Sequence, residues 1–249
     1  MNLEEIRIEI DEINEKMLAL FQKRMELSKQ VITYKLEHQI PIINKKREAE
    51  IIAHYGADDP FAMQFFESII EISRNWQTKL MIDKNIVLIG MMGSGKTTIG
   101  RILEHQLALP FVDVDSKIEI AAGMSIPEIF EQGEEVFRQL EACEIEKIAK
   151  CMPSVISTGG GVILQEKNMQ KLKENGIVFF LNRPIKAVVA DIALKDRPML
   201  DNRIERVLEI YEERLPLYQK YADYEIKSAK TPREVSAEII TLLQSQAMI

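Results

Sequence analysis

Ile86-Val87-Leu88-Ile89, running directly into Gly90-Met91-Met92-Gly93-Ser94-Gly95-Lys96-Thr97, is the stretch that decides the fold of most of this chain. Four consecutive apolar residues, most of them β-branched, have the length and composition of a buried strand. They open without a break onto a full G-x-x-x-x-G-K-T, with a helical pattern behind it, which is the context this motif requires. A chance match in a glycine-rich turn would lack that flanking strand and helix. In such a loop the glycines let backbone N–H groups turn inward around phosphate oxygens. Lys96 offers a point charge to the β- and γ-phosphates, and the Thr97 hydroxyl can ligate Mg²⁺. Gly90, Gly93, Ser94, Gly95, Lys96, Thr97 and Thr98 are therefore the expected ATP-binding residues. From about Lys84 onward short apolar runs alternate with helical stretches, which predicts an α/β fold with a parallel sheet flanked by helices.

The next apolar run, Phe111-Val112-Asp113-Val114-Asp115, reads as a strand ending in two carboxylates on one face. Asp113 is placed to hold Mg²⁺ through water, and Asp115 to accept a proton from an acceptor hydroxyl. The alternative is a helix beginning at Lys117 and capped by Asp115 or Ser116. Further on stand Gly133-Glu134-Glu135-Val136-Phe137-Arg138, with Glu141 one turn beyond the arginine, and the strand Val155-Ile156-Ser157 entering Thr158-Gly159-Gly160-Gly161. Missing side chains there allow a ligand or another backbone to approach closely. Asp196-Arg197-Pro198-Met199-Leu200 and Glu213-Arg214-Leu215-Pro216-Leu217-Tyr218 complete the series.

Taken in this order, the phrases resemble shikimate kinase, and the resemblance runs over essentially all of residues 84–249. It implies phosphorylation of shikimate by ATP with Mg²⁺. The second aspartate, the arginine after G-E-x-x-F, the triple glycine and the arginine of R-x-P-L-Y surround shikimate in that family. By motif these are Asp115, Arg138, Gly159, Gly160, Gly161 and Arg214. Two arginines suit bidentate capture of a carboxylate, and Asp115 suits the hydroxyls. The resemblance puts Arg197 in a mobile lid that closes over ATP and stabilises charge on the transferring phosphoryl group, making Lys96, Asp115 and Arg197 the catalytic set and Thr97 and Asp113 the metal ligands. One departure concerns the arginine that stacks on adenine in the family: Arg183 precedes its expected place and Asp191 stands nearer to it. Thr231-Pro232 falls in the family's adenine loop, although proline in the first turn of a helix explains it equally well.

Upstream of residue 84 the pattern changes. Ile6, Ile10, Ile13, Met17, Leu20, Leu27 and Val31 keep the three-four spacing of one long amphipathic helix ending before Pro41. A second helix is predicted from Lys45 to Tyr55, and a third from Phe61 to about Ile82 after the break at Gly56-Ala57-Asp58-Asp59-Pro60. Arg24 continues the apolar spacing, Lys35 follows Val31 by one turn, and Arg7 lies on the flank of Leu3, Ile10 and Met17, so three cations share an interior face. Each cation taken singly is explained by snorkelling to the surface. Arg47 and Glu48 on helix two, and Ser73 and Gln77 on helix three, are spaced to face the same cavity, and the cluster outweighs that explanation.

This set resembles the all-helical class of chorismate mutase over residues 1 to about 82. The family's fold is three helices with two chains intertwined, and its reaction is the unimolecular rearrangement of chorismate to prephenate, without cofactor. The resemblance implies chorismate binding by Arg7, Arg24, Lys35, Arg47, Glu48, Ser73 and Gln77. Arginines hold the two carboxylates in a reactive geometry, and Arg24, Lys35 and Gln77 form the catalytic group, with Lys35 and Gln77 on the ether oxygen. It also implies a homodimer in which Arg7 serves the partner's site. Two departures point to a weakened mutase: Asn44 stands where an aspartate is familiar, and the connection between helices two and three is short.

Bulk properties agree with two soluble enzymatic domains, divided as 1–83 and 84–249. The 249 residues carry a formal net charge of -7, giving no basic stripe for nucleic acid, and no apolar run approaches the length that spans a bilayer. An acidic amphipathic start and two cysteines, Cys143 and Cys151, predict a cytoplasmic protein with reduced thiols. The expectation is a bifunctional enzyme of aromatic amino-acid biosynthesis acting on shikimate, ATP and chorismate, dimeric through the N-terminal domain, with no membrane or nucleic-acid partner. The rivals are a non-catalytic N-terminal module that senses chorismate or prephenate, and a kinase acting on another hydroxy acid such as gluconate.

Overall fold

The computed structural model describes residues 2–38, 40, 44–56, 59–150, 153–189, 201–227 and 230–246. Arg197, Asp191, Cys151 and Pro41 lie outside the described residues. The chain divides into two compact units, Met1–Met81 with Gln244–Ile249, and Ile82–Leu243.

The first unit is built on α1 (Leu3–Glu37), α2 (Lys45–Tyr55) and α3 (Pro60–Met81). Asn44 caps α2, its side chain accepting from the Arg47 backbone N–H at 3.0 Å. The residue that departs from the familiar aspartate thus does what an aspartate would do for the helix. Pro60 opens α3, where its fixed φ costs nothing and its missing N–H is not needed. Within this unit Ile32 and Ile70 are buried, but Ile6, Ile10, Ile13, Met17, Leu20, Leu27 and Val31 are all exposed. The stripe that periodicity assigned to a packed face is uncovered along α1.

The second unit is a five-stranded sheet ordered β2-β3-β1-β4-β5, with every pairing parallel. The strands are β1 (Asn85–Ile89), β2 (Phe111–Asp113), β3 (Val155–Ser157), β4 (Gly176–Asn182) and β5 (Tyr224–Lys227). Helices α4 (Lys96–Leu107), α5 (Val114–Ala122), α6 (Ile126–Glu131), α7 (Glu134–Ile148), α8 (Glu166–Glu174), α9 (Asp201–Tyr221) and α10 (Pro232–Gln246) connect and follow them. All five β1 residues are buried. Alternation sends Val87 and Ile89 into one core, with Ile118, Phe180 and Tyr218, and Ile86 and Leu88 into the other, with Leu103, Phe179 and Ile239. β1 lies between β3 and β4, so its carboxyl end opens onto a crevice of the kind where parallel sheets bind ligands.

The expected strand Phe111 to Asp115 is shorter than its pattern. β2 stops at Asp113, α5 begins at Val114, and Asp115 sits in the helix's first turn. The Asp113 carboxylate accepts from the Ser116 N–H at 3.3 Å, so the cap falls on Asp113 and not on Asp115 or Ser116. The two carboxylates come together across a strand–helix junction, not through strand alternation.

Candidate functional site

Between β1 and α4 the P-loop takes up the conformation its glycines permit. Gly90 sits at φ 146° and Gly95 at φ 93°, and a Cβ on Gly90 would meet the Leu181 carbonyl oxygen at 2.8 Å. Lys96 is buried and folds back onto its own loop, donating Nζ to the carbonyls of Gly90 at 2.7 Å and Met91 at 2.8 Å. Burial pushes its ammonium down to about 8, against the pull of Asp115 and Asp113. Ser94 is buried, whereas Thr97 and Thr98 open α4 at the surface. Thr97 Oγ1 donates to Asp113 Oδ2 at 3.1 Å, placing a hydroxyl and a carboxylate oxygen side by side beside the loop. Among the described residues no group of three or more His, Cys, Asp and Glu could hold a metal. One carboxylate and one hydroxyl nevertheless fit Mg²⁺ that takes its other ligands from phosphates and water.

The acceptor side is organised by the turn Gly159-Gly160-Gly161, just after β3. A Cβ at Gly159 would lie 2.7 Å from Asp115 Oδ1, one at Gly161 2.5 Å from Arg138 Nη2, and one at Gly160 3.4 Å from the Met92 backbone nitrogen. The turn therefore touches three groups that come from separate elements, and at Gly159 and Gly161 a side chain would push Asp115 and Arg138 aside. Asp115 Oδ1 is buried without a hydrogen-bond partner. Burial raises the Asp115 pKa, Asp113 adds to the rise, and Lys96 opposes it. A half-desolvated carboxylate of raised basicity is suited to taking a proton.

Arg138, on α7, is buried between two carboxylates. Its Nη1 donates to Glu141 Oε2 at 3.0 Å, and its Nε and Nη2 donate to Glu134 Oε1 at 3.2 and 3.0 Å. Glu141 is wholly buried, and its Oε1 has no hydrogen-bond partner. Burial raises its pKa, with Arg138 opposing. On α9, Arg214 Nη1 donates to the Gly160 carbonyl at 3.2 Å, and the Tyr218 hydroxyl donates to the same oxygen at 2.5 Å. Arg183 donates to the Gly93 carbonyl of the P-loop at 2.9 Å. Asp115, Arg138, Gly159 to Gly161 and Arg214, the set that the resemblance implied, are thus brought together. Sequence reading missed the second carboxylate on Arg138, Glu134, and the third member of the Gly160 cluster, Tyr218. Tyr218 closes the phrase that supplied Arg214, so its position one turn along the same helix was the available signal.

In the helical unit Arg24 Nη1 donates to Ser73 Oγ and lies 3.5 Å from the Ile69 carbonyl, while Gln77 Nε2 donates to the Ser28 carbonyl at 3.3 Å. Burial lowers the Arg24 pKa. It also lowers that of Lys35, with Glu48 opposing. Glu48 is ion-paired to Arg74 at 2.9 Å, a cation that helical spacing did not single out. Arg74 is next to Ser73 on α3 and reaches across to α2. Two expected members stand elsewhere: Arg47 turns to Glu50 at 3.2 Å with its side chain 66% exposed, and Arg7 pairs with Glu4 at 3.4 Å, 65% exposed. A residue at the start of α2 points either toward α3 or away from it, and adjacent positions cannot do both, so Glu48 takes the inward place and Arg47 the outward one.

Comparison with known proteins follows the same division. Residues 92–244 match the family model described as Shikimate kinase, and residues 6–78 the model described as Chorismate mutase type II. A Shikimate kinase of Clostridium botulinum is 42% identical over 154 residues, covering 62% of this chain and 93% of the relative. One of Caldanaerobacter subterraneus is 44% identical over 162 residues, covering 63% and 94%. Among solved structures, shikimate kinase from Acinetobacter baumannii in complex with shikimate superposes with a TM-score of 0.63 at 35% identity, covering 68% of this chain and 98% of that one. Shikimate kinase from Aquifex aeolicus gives 0.59 at 38%, covering 66% and 98%. The chain belongs to the shikimate kinase family, and ahead of its kinase it carries a region of the chorismate mutase type II family.

Proposed function

We propose that the sheet unit transfers the γ-phosphoryl group of ATP to the 3-hydroxyl of shikimate, and that the helical unit rearranges chorismate to prephenate, with the functional division at residues 83 and 84. The observation that carries the kinase reading is the triple-glycine turn, which brings Asp115, Arg138 and the P-loop to one point. Arg138 and Arg214 hold the carboxylate of the acceptor, and Asp115 faces its hydroxyls. The hydroxyl oxygen attacks the γ-phosphorus, the bond to the bridging oxygen of ADP breaks, and the hydroxyl proton passes to Asp115. Lys96 leaves the carbonyls of Gly90 and Met91 to meet phosphate oxygens. Thr97 and Asp113 would hold Mg²⁺, which would supply charge neutralisation on the phosphates when bound with ATP.

In the helical unit Arg24, Lys35, Gln77 and Glu48 line one site, and the reaction needs positioning and charge stabilisation but no nucleophile or cofactor. Ser73 holds Arg24, and Arg74 fixes the Glu48 carboxylate by pairing with it. The site is completed by a second copy of the chain. Seventeen residues separate Arg7 from Arg24 on one helix, roughly 25 Å at 1.5 Å per residue, which one small ligand cannot bridge. The uncovered stripe of α1 supplies the drive to dimerise, since fully burying a Leu, Ile, Met or Val side chain contributes about 1.5–3 kcal/mol. Arg7 then enters the partner's site.

Both activities are read from one preparation of the full chain. Shikimate with MgATP should release ADP, gluconate in its place should not, and chorismate alone should be consumed with prephenate appearing. ADP release with gluconate but not shikimate would overturn the kinase reading. Chorismate bound but not consumed would make the helical unit a sensing module.

A further inference from the structure

Tyr218 has no part in the chemistry above, yet three parts of the site meet on it. It is fully buried. Its ring stacks on Phe180 of β4, with centroids 4.9 Å apart and planes 11° from parallel. Its hydroxyl lies 3.7 Å from Met91 Sδ in the P-loop and donates to the Gly160 carbonyl at 2.5 Å. Arg214, one helical turn earlier, donates to that same carbonyl at 3.2 Å. A carbonyl oxygen has two lone pairs, and here one neutral donor and one cation occupy both.

Three consecutive glycines have the greatest backbone freedom a chain can offer, so a turn made of them holds a geometry only if something outside it fixes the peptides. The geometry matters at this turn because Gly159 abuts Asp115 and Gly161 abuts Arg138. A rotation of the Gly160 peptide would displace both neighbours together. Arg214 cannot be the lasting restraint, since it is also the group offered to the acceptor carboxylate. When it turns to that carboxylate, the Tyr218 hydroxyl is the donor left on Gly160. Burial pushes Tyr218 up to about 12, against Arg214, so the hydroxyl keeps its proton and stays a donor.

We infer that Tyr218 is a positioning residue for the acceptor, holding the Gly159-Gly160-Gly161 turn in one arrangement against Asp115, Arg138 and the P-loop while Arg214 is free to engage substrate. This rests on the reading of that face as the shikimate site. The discriminating variant is Tyr218→Phe, which keeps the ring on Phe180 and removes only the donor. In the full chain it should raise KM for shikimate about tenfold and lower kcat several-fold, with KM for ATP within about twofold of wild type, because the turn places both Arg138 and the base Asp115 but not the nucleotide. A purely structural role would move both KM values together, and equal shifts, or none, would overturn the inference. Backbone amide exchange reads the same claim without any substrate. Exchange at Val162 and Leu164, whose N–H groups donate to the carbonyls of Gly159 at 3.3 Å and Gly161 at 3.0 Å, should quicken about tenfold in the variant while β1 stays protected, as expected for a local opening made easier. Unchanged exchange at those amides refutes the positioning role. Wild-type protein that does not phosphorylate shikimate refutes only the assignment of the substrate, since the exchange result still decides for or against the turn's restraint.

Discussion

The sheet unit and the helical unit solve the same problem, gathering charged groups around a small anion, with opposite amounts of their own material. The sheet unit covers both faces of β1 and buries Lys96, Arg138 and Glu141 within one chain. The helical unit buries little more than Ile32 and Ile70 among its large apolar residues, and leaves the α1 stripe uncovered and Arg7 in solvent. A parallel sheet with helices on both faces encloses its site by itself, because each crossover lays a helix over the strands. Three helices of this length cannot, since too much of their surface stays outside. The difference teaches why, on the proposed reading, one active site is intramolecular and the other is completed by association.

The comparison breaks most sharply at the kinase chemistry. Lys96→Ala and Asp115→Ala should each lower shikimate phosphorylation by about 10²–10⁴, the range for losing a charge stabiliser or a general base. Chorismate turnover by the same variants should remain within about twofold of wild type, since a separately folded site loses none of its groups. Steady-state assays of both reactions check it, and a parallel fall in both would mean that the two units do not fold independently.

Next in size is the test of the shared site. Arg7→Ala and Arg24→Ala homodimers should each lose mutase activity. Mixing them under subunit exchange should restore up to about half the native activity per mixed dimer, because one of its two sites then carries both arginines. Kinase activity should not change on mixing. A lack of recovery after exchange has been demonstrated by mass spectrometry of tagged chains, or full mutase activity in a sedimenting monomer, would remove the second copy from the site.

The smallest expected effect concerns protons. With Lys96 pushed down to about 8 by burial, the free protein holds this proton below that pH and has lost it above. Phosphate raises the pKa again, so nucleotide binding is proton-neutral below about pH 8 and takes up one proton above it. Affinity for MgADP should then fall by up to about tenfold per pH unit above 8. Calorimetry in buffers of different ionisation enthalpy measures the uptake directly, and a pH-independent affinity between 7 and 9.5 would contradict the buried ammonium.

What could be read from the sequence and what could not divides by distance along the chain. The P-loop, its flanking strand and helix, and the three N-terminal helices were legible because contiguous residues fix each other's geometry through dihedral preference, glycine placement and apolar period. Asp115, Arg138, Gly159 to Gly161 and Arg214 were singled out by the resemblance of their short motifs to a family, and the fold brings them together. Tertiary structure alone decided the pairings. Tyr218 and Gly160 are 58 residues apart, Arg24 and Ser73 49, and Glu48 and Arg74 26. It also decided that Glu48 rather than Arg47 faces inward, and that Asp113 caps α5 and so ends β2 two residues early. A side chain's partner is chosen by strand order, helix rotation and the competition of nearby donors for one acceptor. None of these leaves a local pattern, so the sequence determined which groups this protein has, and the packed chain determined which of them meet.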